Sequence, residues 1–276
     1  MKMKKMMLQG LLGLSVLGLM TQSIYAGSND RLVLQGSTTV LPIAQKCAEV
    51  FMQNNPKADI SVRGGGSGTG MAALVDGICD IADSSRPIKS KELNKAVSRK
   101  VDPVAHVVAM DGIAVIVHTS NPVSKLSLTQ LKNIYTGKVS NWSQLGGENK
   151  ELVVISRDVA SGTYECFSKL ALKKARVRPD ALLQASNAAV FSTVKRTEGA
   201  IGYVGMGYLS SDVKGLSVDG VRPSIETVQK GTYPISRPLF MYTNGKPKGL
   251  AKDFIDFVLS EDGQRIVGKQ GFVSLK

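Results

Sequence analysis

The chain has 276 residues, of which 43% are hydrophobic, and it carries a formal net charge of +13 at pH 7. This length is sufficient for two modest domains, each with its own core. The basic residues are scattered and only 5% of residues are aromatic, which argues against a nucleic-acid surface and favours a small anionic ligand or an anionic membrane surface. Three cysteines without a Cys-x-x-Cys motif, and only two histidines, argue against a disulfide scaffold and a zinc site.

The N-terminus has the pattern of a secretory signal peptide. Lys2, Lys4 and Lys5 precede an apolar run at 6–20, and a polar stretch then ends at Ala26. The run is too short for a good membrane span. The predicted cleavage point has no cysteine, which argues against a bacterial lipid anchor. We therefore predict a signal peptide at 1–26, cleaved near Ala26; a buried N-terminal helix is the alternative. Loss of the three lysines lowers the net charge from +13 to +10.

Predicted strands and helices alternate along the chain, which is typical of an α/β protein with largely parallel sheets. In chain order they are a strand at 32–34, a helix at 40–53, a strand at 60–62, a helix at 71–75, a strand at 79–82, a helix at 89–98, a strand at 113–117, a helix at 128–135, a strand at 152–155, a helix at 163–173, strands at 201–204 and 239–242, and helices at 250–259 and 261–267. We expect the chain to cross between two lobes near Thr119 and to return near Ser236. The first lobe then comprises 27–118 and 237–276, and the second lobe comprises 119–236.

Two of the cysteines have a structural interpretation. Cys47 falls on the apolar side of the helix at 40–53 and is predicted to be a small core residue. A disulfide with Cys79 is the alternative in an oxidising compartment, because the sequence does not show how far apart the two Cα atoms lie.

Three short turns rich in glycine, serine and threonine are the most informative motifs. They lie at 36–39, 64–70 and 157–163, each between a predicted strand and a predicted helix. Such a turn presents free backbone N–H groups, hydroxyl donors and a helix N-terminus at one point, which suits a dehydrated oxyanion. Arg157 adds a planar cation able to bind two oxygens at once, and Asp158 is placed to hold it. The candidate ligand-binding residues are Ser37, Thr38, Thr39, Ser67, Gly68, Arg157, Ser161, Gly162 and Thr163.

A single glycine-rich turn is more often an ordinary turn than a binding site. The turn at 64–70 matches neither the dinucleotide fingerprint nor the Walker loop, since it lacks a required glycine and the Gly-Lys-Ser/Thr end. It approaches a nucleophile elbow, but Thr69 occupies the position of the last glycine. The coincidence of three such turns, each between a strand and a helix, is what favours a binding site.

Taken together, the motifs resemble the phosphate-binding component of bacterial high-affinity phosphate ABC importers. Besides the three turns, the resemblance is carried by Ser84-Ser85-Arg86-Pro87, by 131–138 followed by Asn141-Trp142, and by 199–203, all in the right order and spacing. It covers essentially the whole chain after the predicted signal peptide. The turn Arg-x-x-x-Ser-Gly-Thr at 157–163 is its most specific element.

The resemblance implies a two-lobed periplasmic-binding-protein fold of type II-like architecture, with two mixed sheets flanked by helices and a ligand cleft between the lobes. It implies a periplasmic, non-enzymatic protein without cofactor or metal. Such a protein captures inorganic phosphate and delivers it to a permease with ATPase subunits at the inner membrane; a monomer suits this docking. The ligand contacts that the resemblance carries over are Thr38, Thr39, Ser67, Arg157, Ser161, Gly162 and Thr163.

One departure from the family pattern concerns the proton of phosphate. Longer members have an aspartate where this chain has Ser85, and that carboxylate accepts a hydrogen bond from protonated phosphate and so rejects sulfate. Here Ser85 is the candidate acceptor, and Asp83 lies two residues away. Arg86 is a further candidate for the site.

Three alternative functions remain open on the sequence. The first is a binding protein for another oxyanion, such as sulfate, molybdate or tungstate. The second is a secreted phosphatase with Ser67 or Ser161 as nucleophile, which the lack of a well-placed histidine base and of metal-ligand clusters disfavours. The third is an extracellular adhesive role, which only the charge of the mature chain suggests.

Overall fold

The structure is a computed structural model that describes residues 31–276, so the predicted signal peptide at 1–26 lies outside the described residues. The strands within this range are β1 (Arg31–Gly36), β2 (Asp59–Arg63), β3 (Ile81–Ser84), β4 (Pro103–Val117), β5 (Lys125–Leu126), β6 (Val153–Arg157), β7 (Leu182–Gln184), β8 (Ala200–Gly205), β9 (Lys214–Gly215), β10 (Ser217–Val218) and β11 (Ser236–Asn244). The α-helices are α1 (Leu41–Asn54), α2 (Ser67–Val75), α3 (Ser90–Ser98), α4 (Leu128–Tyr135), α5 (Gly162–Leu170), α6 (Asn187–Arg196), α7 (Ile225–Gln229), α8 (Gly249–Leu259) and α9 (Glu261–Lys269).

The long strand β4 joins the two halves of the molecule. The strand order is β2-β1-β3-β11-β4-β8-β6-β7, with β9 also paired to β4. The first ten residues of β4 pair antiparallel with β11, and its last five pair antiparallel with β8. Parallel pairs flank these on each side, β1 with β2 and β3 in one half and β6 with β7 and β8 in the other. Within residues 31–276, these nine strands therefore form one continuous mixed sheet, which β4 carries from one half of the molecule into the other. We call the half with β1 the first lobe and the half with β6 the second.

Each lobe has its own apolar core. In the first lobe, α1, α8 and α9 cover the sheet, and the edge-on contact of Phe51 with Phe254 is at its centre. In the second lobe, Phe167 stacks on Tyr203 with 4.0 Å between the ring centroids, and Trp142 donates from Nε1 to the carbonyl of Gly199 at 2.9 Å. Two independent cores allow the lobes to keep their shape while their relative position changes.

Most predicted elements are present, and the differences matter for function. Helix α2 begins at Ser67, four residues before the predicted helix, so this serine occupies the first turn of the helix. Helix α6, which the sequence analysis did not predict, starts after Ser186, whose hydroxyl accepts the N–H of Ala189 as an N-cap. Within residues 31–276, no helix combines the length and hydropathy that crossing a membrane requires.

Candidate functional site

The three predicted turns meet where the lobes face each other. Thr39 in the first turn and Thr163 in the third lie with their hydroxyl oxygens 2.9 Å apart, although 124 residues separate them. The backbone N–H of Gly68 donates across the same boundary to the carbonyl of Ala160 at 2.9 Å. The lobes are therefore closed on each other at this point.

Glycines make this close approach possible. Gly66 has a φ of 100°, and a Cβ atom there would lie 2.8 Å from the carbonyl oxygen of Ala160 in the other lobe. A Cβ on Gly162 would collide with the hydroxyl of Ser67 and lie 2.7 Å from that of Ser85. Side chains at either position would hold the lobes apart.

The serine hydroxyls of the site receive backbone N–H groups. Ser37 accepts from the N–H of Thr39 at 3.1 Å, Ser67 accepts from that of Ser85 at 3.0 Å, and Ser161 caps α5 by accepting from that of Tyr164 at 3.1 Å. All three serines are 2% exposed or less, so each loses its water shell and must bond within the protein or to a ligand.

Arg157 is fixed by main-chain carbonyls and keeps one nitrogen free. Its Nε donates to the carbonyl of Gln184 at 2.8 Å and its Nη2 to that of Ala185 at 3.0 Å. Its Nη1 is buried and makes no hydrogen bond to any of the described residues. The predicted holder Asp158 instead accepts the N–H of Ala160, so that prediction was wrong.

The electrostatics around Arg157 favour an anion. Burial lowers the pKa of its guanidinium, and the positive charge of Arg237 lowers it further, against the opposing charges of nearby tyrosines and Asp158. An anion beside Nη1 would offset both effects, because it stabilises the charged form.

A buried ion pair lies directly beside the threonine hydroxyls of the site. Arg237 on β11 lies directly opposite Asp111 on β4, and its Nε and Nη2 donate to one carboxylate oxygen at 2.9 and 2.8 Å. Nη2 also lies 3.1 Å from the hydroxyls of both Thr39 and Thr163. Burial raises the pKa of the Asp111 carboxyl, which the hydrogen bonds and charge of Arg237 and the N–H of Met206 oppose.

Asn187, the first residue of α6, links the threonines of the first turn to the second lobe. Its Nδ2 lies 2.9 Å from the hydroxyl of Thr38 and 3.0 Å from that of Thr39. Its Oδ1 accepts the backbone N–H of Gly205 at 3.1 Å. The side chain is fully buried, so its amide is held in one orientation.

Arg86 is held by carboxylates from both lobes rather than aimed at the hydroxyls. Its Nη1 and Nη2 donate to the two oxygens of Glu92 at 2.8 and 2.6 Å, and its Nε pairs with Glu165 on α5. Lys89 pairs with the same Glu165 at 2.8 Å. Because Glu165 belongs to the second lobe, these ion pairs stabilise the closed arrangement.

A cavity of about 500 Å³ lies beside these ion pairs. Among its charged lining residues, the basic ones predominate. The charged lining residues are Arg86, Lys89, Lys169, Lys174 and Arg237, with Glu165 as the one carboxylate among the described lining residues. Cations lining a concave surface raise the local concentration of small anions next to the site.

Asp83 does not supply the proton acceptor that its position in the sequence suggested. It shares a face of β3 with Ile81, which packs in the core of the first lobe, and neither carboxyl oxygen bonds to any of the described residues. Complete burial raises the pKa of Asp83 to about 8. The carboxyl is therefore neutral at pH 7 and turned into the core.

We expect Asp83→Asn to stabilise the protein at neutral and alkaline pH. An aspartate in an unfolded chain titrates near pH 4, whereas Asp83 keeps its proton in the folded protein up to about pH 8. Between these values unfolding releases a proton, so the free energy of unfolding falls as pH rises, by at most about 1.4 kcal/mol per pH unit. In urea unfolding from pH 4 to 9, the free energy of unfolding of the variant should exceed that of wild type by an amount that grows up to pH 8, where it reaches a few kcal/mol. Equal curves at pH 8, with the exposed control Asp59→Asn also unchanged, would contradict this.

The cysteines and histidines form no reactive centre in residues 31–276. Cys47, Cys79 and Cys166 are all free thiols, which resolves the open pairing of Cys47 with Cys79. Burial raises the pKa of both the Cys47 and Cys79 thiols to about 12, so they stay protonated and unreactive. No group of three or more metal-ligating side chains occurs among the described residues.

Three residues of the site were not found by sequence reasoning. Asp111 and Arg237 are charges inside apolar strands, and such interruptions are the signal that could have revealed them. For Asn187, the signal was the N-cap Ser186 before apolar residues at helical spacing.

Comparison with known proteins gives a consistent result. Residues 23–262 match the family model described as PBP superfamily domain. The chain is 39% identical over 248 residues to "Phosphate-binding protein PstS" of Bacillus subtilis, with 89% of this chain and 81% of that protein covered. It is 32% identical to a protein of the same name from Pseudomonas aeruginosa, with 91% and 84% covered.

Two solved structures show the same fold. A putative phosphate ABC transporter substrate-binding protein with bound phosphate from Clostridium perfringens superposes with a TM-score of 0.84 at 34% identity, covering 89% of this chain and all of that one. An ABC-type phosphate transport receptor from Vibrio cholerae superposes with a TM-score of 0.71 at 30% identity, covering 88% and 99%.

Proposed function

Since the chain belongs to the PBP superfamily, in the family of phosphate-binding proteins of ABC importers, we propose that it captures inorganic phosphate between its two lobes and delivers it to such an importer. Membership of this family makes it an extracytoplasmic transport component and not an enzyme. This excludes the phosphatase alternative as its primary role.

The observation that carries the proposal is the buried Nη1 of Arg157, which has no hydrogen-bond partner in the part of the chain that the structure describes. A guanidinium nitrogen without a partner in a water-excluded place is costly unless an anion binds there. Arg157 begins the turn that leads to Thr163 and to the N-terminus of α5, and the hydroxyls of Thr163, Thr38 and Thr39 meet at the boundary between the lobes. Together these donors can satisfy the oxygens of a tetrahedral anion.

We assign phosphate contacts to Ser37, Thr38, Thr39, Ser67, Gly68, Ser85, Arg157, Ser161, Gly162 and Thr163. In the open form phosphate first meets Thr38 and Ser67 of the first lobe. Closure then brings Arg157 and Ser161 onto the remaining oxygens. Arg86 acts from outside this shell through its ion pair with Glu165.

The finer features follow from the same proposal. The proposed lobes are 27–118 with 237–276, and 119–236, and they move about the strands that connect them; the last five residues of β4, at the end of the first segment, already pair with β8 of the second lobe. A signal peptide cleaved near Ala26 places the protein in the periplasm. There a monomer docks in its closed form on a permease whose ATPase subunits lie at the inner membrane.

Titration calorimetry of the ligand-free protein tests this function. One phosphate per chain should bind tightly at neutral pH, with sulfate and molybdate unable to compete at similar concentrations. Tight binding of sulfate or molybdate instead would change the substrate but keep the site. No binding of any oxyanion would refute the proposal.

A further inference from the structure

The orientation of the Asn187 amide decides the direction of the hydrogen bonds at Thr38 and Thr39. The backbone N–H of Gly205 can only donate, so the atom of Asn187 that it meets at 3.1 Å must be Oδ1. The other end, Nδ2, must therefore face the two threonines. Both threonine hydroxyls accept from it.

A hydroxyl oxygen has two acceptor positions and one proton. At Thr38 both positions are filled by Asn187, through Nδ2 at 2.9 Å and the backbone N–H at 3.3 Å. At Thr39 they are filled by Asn187 Nδ2 at 3.0 Å and Arg237 Nη2 at 3.1 Å. Both hydroxyls must then donate their own protons.

Thr39 and Arg237 also fix the hydrogen-bond direction at Thr163 in the second lobe. Arg237 Nη2 carries two protons: one is directed to Asp111, and the other is shared between the hydroxyls of Thr39 and Thr163, each 3.1 Å away. The hydroxyl of Thr163 also lies 2.9 Å from that of Thr39, which donates its own proton to it. With both acceptor positions filled, Thr163 must donate outward. Thr38 and Thr163 are thus donors from opposite lobes.

Ser85 differs from these threonines. Its hydroxyl oxygen receives no N–H from the described residues and lies 3.3 Å from that of Ser67, which itself accepts the backbone N–H of Ser85. Ser85 can donate to Ser67 and so keep its lone pairs for a proton on the ligand.

We propose that Asn187 and Arg237 are positioning residues that lock the threonine hydroxyls as donors, so that the site selects the monohydrogen phosphate dianion, whose one proton Ser85 accepts. This inference rests on the proposed function. The dianion carries one proton, which one acceptor satisfies. Dihydrogen phosphate carries two, and the second proton would face a donor.

Other ionisable groups surround these hydroxyls, and their own titration can contribute to the pH dependence of binding. They are Arg237 and Asp111 on the crossing strands, Arg157 and Tyr203 on the second-lobe sheet, Tyr208 against Thr38, Glu165 and Cys166 on α5, and Asp83 behind the first turn. Burial raises the pKa of Tyr208 to about 12 and that of Tyr203 further, so neither tyrosine loses its proton below pH 9. Because Asp83 titrates within this range, each measurement is repeated in an Asp83→Asn background.

The test is calorimetry with inorganic phosphate from pH 6 to 9, in two buffers of different ionisation enthalpy, which counts the protons taken up on binding. Wild type should bind more tightly as phosphate loses its second proton. Asn187→Asp keeps the oxygen that accepts the N–H of Gly205 but replaces the donor Nδ2 by a second acceptor oxygen. Thr38 and Thr39 then donate their protons to this carboxylate, and their lone pairs are left to face the ligand. This variant should bind phosphate at least tenfold more weakly than wild type at pH 8. Its binding should be accompanied by the uptake of a proton, and its affinity should fall as pH rises.

The control Gln184→Glu separates hydrogen-bond direction from charge. Gln184 lies opposite Arg157 in the register of β6 and β7, and its side chain makes no hydrogen bond to a threonine hydroxyl among the described residues. A carboxylate there adds the same charge, beside Arg157. It should weaken binding and keep the wild-type direction of the pH dependence. Asn187→Ala frees the hydroxyls to rotate and should flatten that dependence.

The outcomes separate the two proposals. If wild type binds phosphate but Asn187→Asp keeps the wild-type pH dependence and proton count, the positioning role is refuted. If Asn187→Asp binds phosphate too weakly to measure, the positioning role is refuted when Asn187→Ala keeps the full pH dependence of binding that wild type shows. Failure of wild type to bind phosphate at any pH refutes the proposed function itself.

Discussion

Arg157→Ala is expected to weaken phosphate binding by at least 100-fold. The variant removes a buried cation whose Nη1 bonds to none of the described residues, and hydrogen bonds to charged groups contribute about 1.5–3 kcal/mol each. Loss of two such bonds corresponds to a change of more than two decades in Kd, since about 1.4 kcal/mol is tenfold. Titration calorimetry measures this directly.

Two further variants define what Arg157 contributes. Arg157→Lys keeps the charge but loses the planar fork and the anchoring to Gln184 and Ala185, so it should bind with intermediate affinity. Arg178→Ala removes a second-lobe arginine that pairs with Asp180 outside the site, and it should bind as wild type does. Near-wild-type affinity in Arg157→Ala would contradict the assigned role.

Arg237→Met is expected to lower the free energy of unfolding by about 3–5 kcal/mol at pH 7. The substitution leaves Asp111 fully buried with no cation opposite it, and an uncompensated buried charge has a cost of this size. Urea unfolding without phosphate measures it. The exposed pair of Lys195 and Asp212 provides the contrast, since Lys195→Met should change stability by about 1 kcal/mol or less.

The pH dependence identifies the cause of this loss. Without Arg237, only the N–H of Met206 among the described residues opposes the effect of burial on the pKa of Asp111, and the pKa rises further. The penalty is therefore present above the pKa of an unfolded aspartate and disappears as pH falls towards it. Adding Asp111→Asn should recover much of the stability at pH 7. A deficit that is the same at pH 4 and pH 7, and that Asp111→Asn does not reduce, would show that lost packing is responsible.

Local sequence determined the elements and the turns. A turn of glycine, serine and threonine between an apolar strand and an amphipathic helix is set by backbone freedom, capping and hydrophobic spacing within about a dozen residues. This is why the α/β alternation, the helix at 128–135 and the motif at 157–163 could be predicted without knowledge of the fold. Element ends were less certain, as at α2, where the turn serine itself begins the helix.

Only the tertiary structure decided the chemistry between these turns. Arg237 meets Asp111 through the register of β11 and β4, 126 residues apart, and Asn187 reaches Thr38 across 149 residues. The alternation of β3 turns Asp83 into the core, although its sequence position suggested the ligand. Pairing of this kind depends on which side chains long-range packing buries together, and burial then dictates which hydroxyls donate and which carboxyl keeps its proton.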